Sequence, residues 1–137
     1  MKNITEILEF VKDLTGTKKV TKNSDIENDL GCSGDDFDEL IEKYSEHFNV
    51  DMSTYLWYFH TKEEGFGSIG GFFFKPPNSQ VERIAVTPKM LFKFAEKGKW
   101  DIKYPEHKIP KKRYDLLINQ IILIVIVIYG IYYWLIK

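Results

Sequence analysis

Residues 116–136 constrain this 137-residue chain more than any other stretch, because they hold no charged residue. Asn119 and Gln120 are the strong polar interruptions. At 1.5 Å per residue a helix of this length spans roughly 31 Å, close to the hydrocarbon thickness of a bilayer. Lys111, Lys112 and Arg113 flank the stretch on one side, and Tyr129, Tyr132, Tyr133 and Trp134 gather at the other like an interfacial belt. A buried core helix or a β-rich hydrophobic strand is the alternative; length, basic flank and aromatic end favour a single membrane span. Leu116, Ile121, Ile126, Tyr132 and Trp134 are its expected lipid anchors. The positive-inside rule then places the N-terminal part in the cytoplasm. Asn119 and Gln120 fall near that interface, where they cost little or bond a partner helix.

The rest of the chain has room for one compact domain. The net charge of -1 conceals a segregation. Residues 25–51 are strongly acidic with Lys43 as their only Lys or Arg, whereas residues 103–113 are basic. A short basic run beside an apolar segment is a membrane feature, and no nucleic-acid motif accompanies it. Cys32 is the only cysteine, so no intramolecular disulfide can form. The first fourteen residues lack the basic start and apolar run of a signal peptide.

Hydrophobic periodicity predicts the helices. Ile4, Ile7, Leu8, Val11 and Leu14 make a first amphipathic helix, with Asn3 or Thr5 as cap and Gly16 as terminator. A long polar loop, residues 17–28, follows. Phe37, Leu40, Ile41, Tyr44 and Phe48 then fall at helical period, with Ser33 as expected N-cap and Asp36 reaching back as a weak capping box. Residues 54–59 read as a short helix or a strand. A turn is expected over residues 62–71, and Phe72 to Phe74 and Val81 to Val86 read as two strands of a hairpin around Pro76 and Pro77. Thr87 and Pro88 open a last helix buried through Met90, Leu91, Phe94 and Ala95 and ended by Gly98. Trp100 is expected to pack back on it or on the hairpin, or else to serve as an exposed anchor. The expected architecture is α+β, a helical bundle with a small β-hairpin followed by a transmembrane helix. Its boundaries are residues 1–102, a basic linker 103–113, and the span 114–137.

Functional residues are fewer. Asp35, Asp38, Glu39, Glu42 and Glu46 lie on the face of the second helix opposite its apolar stripe. They are solvated surface or a docking face for a basic protein partner, since one-sign patches steer association. The glycines of residues 65–71 match no phosphate loop or dinucleotide fingerprint. His47, His60 and His107 lie far apart in no metal-ligand spacing. Cys32 precedes a helix N-terminus, but its acidic neighbours oppose a thiolate and packing is its expected role. No enzyme signature, cofactor or metal set is legible.

Asp29, Leu30 and Gly31 followed by this acidic helix resemble the acyl carrier proteins, and Asp36, Glu39, Leu40 and Phe48 match as well. The serine that takes the phosphopantetheine arm falls on Gly34, while Ser33 falls on the family's aspartate. Gly31, Gly34, Asp35 and Asp36, then Val50-Asp51, Thr87-Pro88 and Gly98-Lys99-Trp100, look more like a bacterial acyl-carrier-like group, the domain of unknown function numbered fourteen-ninety-three. That resemblance covers most of residues 7–100 and implies no activity. It implies a carrier-like bundle without the prosthetic arm, held at a bacterial inner membrane and offering its acidic helix to a protein partner. The alternative is a functional acyl or peptidyl carrier modified at Ser33.

Overall fold

A computed structural model describes residues 2–63 and 69–137. Among the described residues five α-helices follow one another: α1 (Ile4–Thr15), α2 (Asp35–Phe48), α3 (Ile69–Phe73), α4 (Pro88–Lys97) and α5 (Tyr114–Ile136). Short 3-10 turns occupy Trp57–Phe59 and Pro77–Ser79. The local chemistry of α1 and α4 matches the sequence. The Asn3 side chain accepts from the Thr5 N–H, and Gly16 closes α1 at φ 65°. Thr87 accepts from the Met90 N–H, Pro88 occupies the first turn, and Gly98 ends α4 at φ 73°. Both terminators sit where a Cβ would strain the backbone.

The core lies between α1, α2 and α4. Ile7 and Val11 of α1 meet Phe37, Leu40, Ile41, Tyr44 and Phe48 of α2 and Leu91, Phe94 and Ala95 of α4. The buried face of α2 is thus the stripe its periodicity predicts. The Tyr44 hydroxyl crosses this core to donate to the Leu91 carbonyl at 2.5 Å. Lys2 supplies the last turns of two helices at once. Its Nζ lies 2.6 Å from the Phe48 carbonyl and 2.7 Å from that of Ala95, where helix C-termini favour a cation. Trp100 is buried against Phe94, with ring centroids 4.7 Å apart.

The expected β-hairpin and α+β class are wrong. Among the described residues there is no strand, only an isolated parallel bridge between Asp51 and Lys99. Phe72 and Phe73 belong to α3. The segment between Pro77–Ser79 and α4 forms no regular element and has no continuous neighbour. It is held by single bonds on two sides, Ile84 N to Phe59 O at 2.6 Å and Ile26 N to Val86 O at 3.0 Å. Aromatic density and flanking Gly and Pro suggest strands, but a ladder needs a partner, and α3 pairs with α5 instead. Of the expected turn over residues 62–71, residues 64–68, with Gly65 and Gly67, lie outside the described residues, whereas Ile69, Gly70 and Gly71 belong to α3.

The basic linker is no free tether at its start. Tyr104 is half-buried, and its ring packs 4.8 Å from that of Phe59. At its end Arg113 grips both sides of the junction. It binds Glu63 through Nη1 and Nη2 at 2.6 and 2.9 Å, and Asp115 through Nε and Nη2 at 2.9 and 2.6 Å. Buried Asp115 in the first turn of α5 therefore has its countercharge.

Candidate functional site

The loop leading into α2 is built by its own acids. Asp25 Oδ1 accepts from the backbone N–H groups of Glu27 and Asn28 at 3.1 and 3.2 Å, and Asp29 Oδ2 accepts from Asp25 N at 2.8 Å. Arg83 binds both Asp25 oxygens and, with the backbone donors, holds that carboxyl below the usual range against the opposing effect of burial. Gly31 then turns at φ 69°, and buried Cys32 hangs its N–H on the Ile26 carbonyl at 3.1 Å. Burial pushes the Cys32 thiol up to about 11, aided by Asp36, Glu27 and Glu39. It is a packing residue, not a nucleophile.

Gly34, rather than Ser33, is the N-cap of α2. It makes no side-chain cap bond, and its φ of 59° with ψ of -129° suits glycine alone. Its N–H donates to buried Thr61 Oγ1 at 2.9 Å. Ser33 is half-buried and its hydroxyl makes no hydrogen bond among the described residues. The expected capping box fails because the chain enters the helix through a glycine conformation that points position 34, not 33, into the cap.

Asp35, Asp38, Glu39, Glu42 and Glu46 are all exposed on the far side of α2 from the core. Lys43 offsets part of the stripe through a 2.6 Å pair with Glu39. The stripe's N-terminal end opens on a surface cavity of about 500 Å³ lined by Gly34, Asp35, Asp38, Trp57, Lys62, Glu63 and Leu116. The acidic helix, the glycine and the first turn of α5 therefore share one depression. Its lining sets the carboxylates of Asp35, Asp38 and Glu63 and the ammonium of Lys62 beside the apolar Trp57 and Leu116. Leu116, Ile121, Ile126, Tyr132 and Trp134 are all exposed along α5, a 23-residue helix long and apolar enough to cross a membrane.

The histidines differ in kind. His47 is exposed, 3.5 Å from Glu6 and stacked on Phe10. His107 Nε2 lies 2.8 Å from the Tyr58 hydroxyl at the surface. His60 is fully buried, and sequence reasoning missed its role. Its Nδ1 donates to the Ile84 carbonyl at 2.9 Å, and its Nε2 lies 2.7 Å from the Tyr104 hydroxyl. That hydroxyl accepts from Trp100 Nε1 at 2.9 Å and Leu56 N at 3.3 Å. Ile84 O can only accept, so Nδ1 carries the proton and neutral Nε2 accepts from Tyr104. Burial pushes the imidazole pKa down, Arg83 adds to this, and the Ile84 bond opposes it. No local pattern announces such a cluster; its members come from three separated segments.

The family model described as "Protein of unknown function (DUF1493)" matches residues 1–103, and the chain belongs to that family. No curated protein and no solved structure matches the chain.

Proposed function

We propose that this member of the family is a non-enzymatic, membrane-anchored interaction module, an acyl-carrier-like domain without a prosthetic arm. The observation that carries the reading is the exposed acidic stripe of α2, which ends at a cavity where the carrier serine's position is a glycine. Without that hydroxyl no phosphopantetheine attaches at position 34. What remains is the docking face, which recruits a basic protein partner by charge. The apolar α5 supports a single-pass anchor in a bacterial inner membrane. Lys108, Lys111 and Lys112 support a cytoplasmic N-terminal domain; Arg113, engaged with Glu63 and Asp115, adds little to that bias.

The test is site-specific photocrosslinking at Lys43, within the stripe, in host membranes. A discrete protein adduct that disappears in a Glu42→Lys/Glu46→Lys variant of unchanged stability supports docking through α2. An adduct pattern indifferent to the reversal refutes it. Carbonate extraction and an N-terminal reporter test the anchor and its orientation.

A second reading, a carrier modified at Ser33, is favoured by one observation: that hydroxyl is half-buried rather than sealed and has no hydrogen bond among the described residues. Intact mass after incubation with a phosphopantetheinyl transferase separates the two, since only the carrier gains the arm.

A further inference from the structure

The aromatic run after residue 68 leaves its largest side chains in the open. Phe72 is 86% exposed, Phe73 65%, Ile69 58% and Phe74 46%. Large contiguous apolar surface of this kind marks a contact with protein or lipid. Its position selects between them. A Cβ on Gly70 would lie 1.9 Å from the Asp115 carbonyl oxygen, so α3 touches the backbone of α5 and only glycine permits the approach. The Gly70 N–H donates to Asn119 Oδ1 at 2.9 Å, and the Phe74 ring lies 5.3 Å from that of Tyr114. The α3 surface is therefore continuous with the apolar surface of α5, at the level of its first two turns.

That level is fixed by length. A hydrocarbon slab needs about 20 helical residues, and counting them back from Ile136 reaches Leu117. Asn119 then lies inside the slab's edge, where an amide must find a partner. The sequence suggests a second helix for that role; the structure supplies the Gly70 N–H. An α3 bonded at that depth carries Phe72 and Phe73 to the acyl boundary. Lys75 and Lys112 line one 240 Å³ cavity with Phe73 and Tyr114, which sets cations at the height of lipid phosphates beside aromatic rings.

We propose that residues 69–74 are a second membrane contact, a wedge that enters the leaflet on the globular side beside α5, with Lys75 and Lys112 at the phosphates. The inference rests on the anchor reading, and its test separates the two. Nitroxide labels are placed by Phe72→Cys, Phe73→Cys, Ile126→Cys and Glu42→Cys, each in a full-length Cys32→Ala chain. The chains are reconstituted in phosphatidylcholine–phosphatidylglycerol vesicles. Phe72 and Phe73 lie outside the core and their ring contact is with each other, so labelling leaves the core packing intact. Relative collision with oxygen and with a water-soluble nickel chelate reads depth. Labels at 72 and 73 shifted to the lipid side, with the Glu42 label in water, support the wedge. Labels at 72 and 73 in water while that at Ile126 is in lipid overturn the wedge and leave the anchor standing. A water-exposed label at Ile126 overturns both.

Discussion

The Tyr104 hydroxyl sits 2.7 Å from His60 Nε2 and takes the Trp100 indole N–H at 2.9 Å, joining a buried imidazole to the segment that follows the bundle. Among the described residues the Trp100 indole N–H and His60 Nε2 have no hydrogen-bond partner but this hydroxyl. Removing the hydroxyl with Tyr104→Phe leaves the Trp100 donor, the Leu56 N–H and a histidine nitrogen without it. Leaving buried polar groups unpaired costs about 1–3 kcal/mol. Urea unfolding of the detergent-solubilised chain is expected to show that loss, and an unchanged midpoint would rule the network out as a stabilising unit.

His60 also makes stability depend on pH. Its folded pKa is depressed below the ordinary 6.5 by burial. Between 6.5 and the folded value the unfolded chain binds a proton that the folded one does not, so stability rises with pH there. It is complete above 6.5 and drains away as pH falls toward the folded pKa. Melting temperatures between pH 7.5 and 5 are expected to decline for the native chain and to flatten in His60→Gln.

The two faces of α2 are expected to respond oppositely. Leu40 is 1% exposed, and Leu40→Ala is expected to cost about 2–5 kcal/mol. Glu42→Lys with Glu46→Lys reverses exposed charges and is expected to move stability by no more than about 0.5 kcal/mol per site. Comparable losses from both changes in thermal unfolding would mean that the acidic face is packed.

Adjacent positions 33 and 34 give a third contrast. Ser33 caps nothing, so Ser33→Ala is expected to stay within about 0.5 kcal/mol of the native chain. Gly34→Ser puts a Cβ at φ 59°, ψ -129° and is expected to cost about 1–3 kcal/mol. On the proposed carrier-like reading, a serine at position 34 would strain the backbone before any chemistry begins. Equal stability of the two variants would contradict the glycine geometry.

What was legible in the sequence is what local rules govern. The stripe Phe37, Leu40, Ile41, Tyr44 and Phe48 has one period and one buried face, and Thr87-Pro88 and Gly98 act through their own backbone. The apolar helix announces itself by length. The failures share a cause in tertiary contact. Phe72 to Phe74 look like a strand until Gly70 meets Asn119, and Ser33 looks like a cap until Gly34 turns toward Thr61. Tyr104, between charged residues and prolines, reads as linker because two of its partners, His60 and the Leu56 N–H, lie far back in the chain. The acidic stripe was readable as a face, but the cavity it borders was not, since Trp57, Lys62 and Leu116 come from different segments.

Eleven unattached residues, 103–113, would reach roughly 36–40 Å and let the head wander over a wide hemisphere. Arg113 fastened to Glu63 on one side and Asp115 on the other removes that freedom at the root of α5. The acidic helix is then carried like a reading head at one height above its track. On the proposed docking and anchor readings, a basic partner would have to present its surface at that height rather than be caught from the bulk by a swinging arm. Such a constraint favours meetings in two dimensions, between molecules that share the same sheet of lipid.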